Sequence, residues 1–138
     1  MIVNTAYIYM GGGAAVNPNL WQDGVSNYPV VFTNSSISSD GLHLNSNGSA
    51  ATFSELPLTD FNSLTLSITI KGADGTLLPI GFYDASGSLI ETVTANFKGS
   101  GGTTTVNIPS SAKIQNAKIK ITNKSNIATI TVNSAVLS

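Results

Sequence analysis

Over most of the second half of this chain, apolar and polar residues alternate with a period of two, the mark of half-buried strands. Between Ser63 and Lys71, the residues Leu64, Leu66, Ile68 and Ile70 fall on one face, and Ser63, Thr65, Ser67, Thr69 and Lys71 on the other. A helix would scatter the same apolar residues around its circumference. The pattern predicts further strands over Thr76 to Tyr83, Ser88 to Phe97, Thr103 to Ile108, Ala117 to Thr122 and Ile127 to Leu137. Turn residues separate them: Asp84-Ala85-Ser86-Gly87, then Gly99-Ser100-Gly101-Gly102, then Pro109. Asn133-Ser134 interrupts the last alternation and predicts a bulge.

The first half is looser. Strands are expected over Tyr28 to Thr33, Gly41 to Asn45 and Ala50 to Ser54, with a loop over Pro18 to Asn27. Met1 to Met10 reads as a strand with Val3, Tyr7 and Tyr9 on one face, and Gly11-Gly12-Gly13 breaks it. The expected organisation is an N-terminal strand or arm with a glycine hinge (1–13), then a single domain (14–138). No window of ten or more residues carries a capped 3.6-residue period. Nine or ten short strands with little or no helix give an all-β sandwich or barrel.

Composition changes the picture of the surface. Charged residues are 9% of the chain, against about 25% in an average domain. Ser, Thr and Asn number 18, 15 and 14, so the surface is built mainly of hydroxyls and amides. Such groups suit sugar hydroxyls or neighbouring copies of the chain. All six basic residues are Lys and the net charge is −1. The lack of Arg and of a positive field argues against nucleic acid as a partner. No apolar run approaches the roughly 20 residues of a membrane helix, and Met1 to Met10 does not read as a signal peptide. No membrane insertion is expected, and a route outside the cell would be lysis. Cysteine is absent, which removes disulfides and thiolate metal sites.

Candidate chemistry is sparse. His43 is the one histidine; between Leu42 and Leu44 on a strand, it faces away from both, toward solvent. Asp40, Asp60, Asp74 and Asp84 sit in turn contexts that explain an acidic residue without catalysis. No Asp-x-Asp-x-Asp calcium loop is present. Gly11-Gly12-Gly13 lacks the Gly-Lys-Ser/Thr ending of a phosphate loop. Neither a cofactor nor a metal is expected, and the chain is not expected to be an enzyme. Trp21 has two readings. With Asp23 and Tyr28 it forms a candidate ligand-binding set, the rings stacking on a sugar face; alternatively it plugs one end of the core. Asn34-Ser35-Ser36, Asn47-Gly48-Ser49 and Asn123-Lys124-Ser125 fit the glycosylation pattern, as expected by chance in a chain rich in Asn and Ser.

One resemblance spans Asn19 to Ser138. Its carriers are Leu20-Trp21-Gln22-Asp23-Gly24, Asp40-Gly41-Leu42-His43-Leu44, Leu58-Thr59-Asp60-Phe61-Asn62-Ser63-Leu64-Thr65-Leu66, Gly81-Phe82-Tyr83-Asp84-Ala85-Ser86-Gly87, Ile108-Pro109 and the paired segments Ala117 to Ile121 and Ile127 to Leu137. Together these resemble the jelly-roll, galactose-binding-like domains of bacteriophage tail, baseplate and fibre proteins, which share their shape with carbohydrate-binding modules. The resemblance implies an antiparallel two-sheet β-sandwich. With the composition, it implies a non-enzymatic virion structural protein that acts through subunit assembly and surface display, made in the host bacterial cytoplasm and released by lysis. Its partners would be other copies of itself and other virion proteins. Ile2, Tyr7 and Tyr9 are the candidate assembly residues, since an apolar N-terminal strand can add to a neighbour's sheet. The alternative is a carbohydrate-binding module recognising host cell-wall polysaccharide through Trp21, Asp23 and Tyr28.

Overall fold

A computed structural model describes residues 16–138 of the chain. The expected strand at Met1 to Met10, its residues Ile2, Tyr7 and Tyr9, and the glycine hinge lie outside the described residues. The described residues form β1 (Trp21–Gln22), β2 (Val25–Ser26), β3 (Val30–Thr33), β4 (Ser36–Ser38), β5 (Gly41–Leu44), β6 (Ala50–Leu56), β7 (Ser63–Lys71), β8 (Thr76–Tyr83), β9 (Leu89–Phe97), β10 (Gly101–Asn107), β11 (Ala117–Thr122) and β12 (Thr129–Leu137). Two single turns of 3-10 helix, Leu58–Asp60 and Ser110–Ala112, are the helical elements among them.

Ten of these strands make two five-stranded antiparallel sheets, ordered β9-β8-β11-β6-β3 and β10-β7-β12-β5-β4. The sheets pack face to face as a β-sandwich, because each carries one apolar face that must be removed from water. The second sheet contributes Leu64, Leu66, Ile68 and Ile70 from β7 with Leu42, Leu44, Ile130 and Val132; the first contributes Phe53, Leu78, Ile80, Phe82, Ile119 and Ile121. All are buried. The outward face of β7, up to Lys71 at its end, is a ladder of neutral hydroxyls: Thr65 pairs with Thr105 and Ser67 with Thr103, both at 2.8 Å. Such cross-strand pairs stabilise a sheet without charge.

The regular strands begin and end close to where the alternation places them. Differences arise where a strand is too short to show a period. The loop expected over Pro18 to Asn27 instead holds the β1–β2 hairpin, Trp21 opposite Ser26. Its turn is Asp23-Gly24, both at positive φ (53° and 80°), the combination a two-residue hairpin turn requires. Strand β4, with Ile37 as its only apolar residue, carries no periodic signal. Strand β10 starts at Gly101, not Thr103. A Cβ at Gly101 would stand 2.2 Å from the Ile68 carbonyl oxygen, so glycine there permits the pairing rather than ending it. The expected bulge in β12 forms between Val132 and Ser134. The extra residue, Asn133, donates to the Asp40 carbonyl and accepts from Thr69.

The main buried polar joint is Asn123, with no exposed surface. Its side-chain amide donates to the carbonyls of Leu44 (2.9 Å) and Ala128 (3.0 Å) and accepts from the Ser125 amide (2.8 Å). Its backbone N–H donates to Ser49 and its carbonyl accepts from Gly48. One residue therefore ties together two crossings between the sheets, 45–49 and 123–128. With its amide fully engaged inside the fold, Asn123 is not a glycan acceptor in the folded protein.

Replacing Asn123 by Ala would strand two buried carbonyls at about 1–3 kcal/mol each. Asn123→Ala is expected to lose about 2–4 kcal/mol in urea denaturation, and Asn123→Asp at least as much, since it sets oxygen against both carbonyls.

Candidate functional site

Strands β8 and β11 are neighbours at the centre of the first sheet, and their outward residues build its open face. The register aligns Thr92, Gly81, Lys120 and Thr52 in one row across four strands, and Tyr83 beside Lys118 in the next. Gly81 contributes no side chain, so the row dips there. The Tyr83 ring lies down into the dip: a Cβ at Gly81 would meet Tyr83 Cε1 at 2.8 Å and its hydroxyl at 3.1 Å. The glycine thus sets the pose of the ring.

Around the ring are two adjoining depressions of about 270 and 210 Å³. Tyr83 and Lys120 line both; Lys124 and Thr122 line the first, and Lys118 the second. The depressions are shallow and open, a groove rather than an enclosed chamber. At one end the Asn123 joint holds the segments carrying Gly48 and Lys124. At the other, the turn after β8 is closed by the Asp84 carboxylate, which accepts from the Ser86 hydroxyl (2.6 Å), the Ser86 amide (3.0 Å) and the Ser88 amide (2.9 Å). The Ser86 hydroxyl first, then the Ser88 amide, holds the Asp84 carboxyl below the ordinary carboxylate range.

The residues expected to bind ligand lie elsewhere. Trp21 is 6% exposed and stacks on Phe53, with ring centroids 5.6 Å apart. Its faces are spent on the core, so the expected aromatic platform is not formed there. The Trp21 indole Nε1 is buried without a hydrogen-bond partner. Asp23 is exposed at the hairpin tip. Tyr28 is half-buried, its hydroxyl donating to the Asn17 carbonyl at 2.6 Å. Of this trio, Trp21 is built into the core and Tyr28 packs against it, while Asp23 stays in solvent at the hairpin tip. The groove residues Tyr83, Lys118, Lys120 and Lys124 were not singled out by the sequence. The available signal was the outward set of two strands, Lys118-x-Lys120-x-Thr122 and Gly81-x-Tyr83.

His43 is not a free surface group. Its Nε2 lies 2.8 Å from Ser38 Oγ and 2.7 Å from Asp40 Oδ1, and Ser38 Oγ donates to the same Asp40 oxygen. Ser, His and Asp are thus in contact, but not as a hydrolase uses them. A nucleophilic relay holds the carboxylate on one ring nitrogen and the hydroxyl on the other; here both meet Nε2, and the hydroxyl proton is committed to Asp40. The cluster closes the β4–β5 hairpin. Among the described residues, no group of three or more His, Cys, Asp or Glu is placed to hold a metal ion.

Ser38 first, then His43, holds the Asp40 carboxyl below its usual range. A carboxyl depressed in the folded state contributes stability above its unfolded pKa, and loses it as pH falls through the folded value. The melting temperature is therefore expected to fall as pH drops below about 4. In the Asp40→Asn/Asp84→Asn double variant that acid slope should flatten. Both groups are exposed, so the effect is small, and a slope unchanged in the variant would contradict it.

No family model and no curated protein matches this chain. Solved structures do. One is the carbohydrate-binding module CBM36 in complex with calcium and xylotriose, with a TM-score of 0.55 at 14% identity, covering 82% of this chain and 91% of that one. Another is CsCBM6-3 from Clostridium stercorarium in complex with cellobiose, with a TM-score of 0.49 at 14% identity, covering 80% and 93%. A third is CBM28, a non-crystalline cellulose specific carbohydrate-binding module, with a TM-score of 0.48 at 15% identity, covering 91% and 95%. The likeness to CBM36 shows a shared fold: the chain is a two-sheet jelly-roll β-sandwich of the kind found in carbohydrate-binding modules.

Proposed function

We propose that this domain is a non-catalytic carbohydrate-binding module whose binding surface is the open groove on the first sheet. The observation that carries the reading is the Tyr83 ring, laid over Gly81 in a solvent-open groove edged by lysine and threonine donors. A flat ring stacks on the apolar face of a sugar, while a few placed donors fix its hydroxyls. An open groove admits a polymer along its length, which a closed pocket would not. The rest of the groove matches that use. Thr52, Thr92 and Thr122 supply neutral hydroxyls, and no carboxylate lines it. Glycoside hydrolysis requires a pair of carboxyls about 5–10 Å apart across the bond to be broken.

This reading puts glycan recognition ahead of virion assembly, the function that composition and resemblance favour. It also moves the binding surface from the Trp21 end to the β8–β11 face. The assembly residues Ile2, Tyr7 and Tyr9 lie outside the described residues. A virion remains our proposed setting, where a module of this kind would display its groove to a host surface. Mass spectrometry of purified particles is the measurement for it.

Affinity electrophoresis and calorimetry against a polysaccharide panel test the proposal. Tyr83→Ala is expected to lose about tenfold or more in affinity, about 1.4 kcal/mol, while Tyr83→Phe keeps most of it. Gly81→Ala should fold normally, since only the tip of a flexible ring must move, yet bind several-fold more weakly. If no polysaccharide binds, or if both Tyr83→Ala and Gly81→Ala bind as the parent does, the assignment is wrong.

A further inference from the structure

We infer that the groove selects an anionic glycan, one that carries carboxylate or phosphate groups along a sugar polymer. The inference rests on the carbohydrate-binding reading above and adds the charge class of the ligand.

The groove's electrostatics depart from those of the chain. The protein has net charge −1, with six Lys against seven Asp and Glu. Three of those six lysines, Lys118, Lys120 and Lys124, line the two depressions, and none of the seven acids does. The outer face of β7 on the opposite sheet shows the contrast, with neutral hydroxyls paired along it and a single lysine, Lys71, at its end. In a chain so poor in charge, concentrating half of the cations on one open face sets up a local positive potential that the net charge hides.

Among the described residues, no hydrogen bond or ion pair engages these three lysines. Among the described residues the one ion pair is Asp40 with His43. Lys113, by contrast, is engaged, donating to Asn62 at 2.6 Å. Of the acids near it, Asp84 at the groove's end has its carboxylate taken up by Ser86 and Ser88, and Glu55, in the irregular stretch of β6 that faces Lys118, forms no ion pair among the described residues. Lys118 and Lys120 are half-buried, which lets their stems lie along the sheet while the ammonium heads stay in water. They project from one strand two residues apart, about 7 Å by strand rise, on either side of the row change at Tyr83. A ring stacked on Tyr83 would therefore present its substituents to ammonium groups on the same side.

Lysine is a compact point charge with three donors and no fork geometry, so it accepts carboxylate and phosphate alike. A neutral glycan uses such a donor weakly. A charged one gains a charge-assisted bond and is drawn in from a distance that salt can screen. Nucleic acid is the other polyanion with stackable rings. Among the described residues the groove offers it a single ring, and the chain has no arginine, where successive bases want successive platforms.

The test measures the full chain against matched ligands by calorimetry. The set is a polyuronate, the same polymer with its carboxyls reduced to neutral alcohols, a poly(glycerol phosphate) polymer bearing sugars, and single-stranded DNA. Each is run at low and high salt. At least one acidic polymer is expected to bind about tenfold or more tighter than the carboxyl-reduced partner. That ratio should shrink toward unity in salt on the order of 0.5 M, where screening is nearly complete. Whichever acidic polymer binds distinguishes carboxylate from phosphate. Lys120→Gln should lose most of the preference, weakening the acidic polymer by a larger factor than its carboxyl-reduced partner. Lys98→Gln, off the groove, should change neither. Equal binding of acidic and neutral polymers would overturn the anionic inference and leave the glycan reading intact. Binding of no polymer would overturn both. DNA binding as tight as the acidic glycan would overturn the inference in favour of a general polyanion site.

Discussion

The fold turns on one buried amide. A two-sheet sandwich has to pass its chain from one sheet to the other, and each passage strips backbone polar groups of their sheet partners. Here two passages, 45–49 and 123–128, meet at Asn123. The residue satisfies Leu44, Ala128, Ser125, Ser49 and Gly48 with its own side chain and backbone. A hydrophobic core alone would hold the sheets together without fixing where these loops lie. The amide fixes them, and with them the end of the groove that carries Gly48 and Lys124.

The groove is made by subtraction as much as by placement. A glycine in the middle of a strand weakens it, because nothing packs at that position. At Gly81 that cost opens room for a ring, and the Tyr83 side chain from two residues along the same strand occupies it. The pair is local in sequence, but the groove walls are not. Thr92, Lys120 and Thr52 arrive from three other strands by register. The surface is thus largely rigid by construction, since these three wall residues stand on paired strands, while Gly48 and Lys124 stand on loops held by the Asn123 joint.

The Ser38, Asp40 and His43 cluster shows why residue types alone do not make a site. All three catalytic types touch. Their connectivity routes both partners to one nitrogen, which leaves the hydroxyl hydrogen-bonded to the carboxylate instead of activated by the imidazole. The outcome is a closed hairpin. Similarly, the largest aromatic in the chain serves the core, because a ring that stacks on Phe53 inside the sandwich is almost wholly removed from water.

Much of the architecture was legible in the amino-acid order. Period-two alternation is a local property, so β7, β8 and β11 could be read to the residue and the β12 bulge placed near Asn133-Ser134. Elements of two or three residues, β1, β2 and β4, were not legible, because no period can show in so short a span. Nor was the site. The sequence determined that Gly81 and Tyr83 share a strand face, and that Lys118 and Lys120 share another. Only the tertiary structure decided that β8 and β11 lie side by side, that this face is open, and that Trp21 is closed off. The reason is that strand pairing joins segments more than thirty residues apart. Which of two apolar-faced strands become neighbours is settled by how the whole core packs, not by either strand's own pattern.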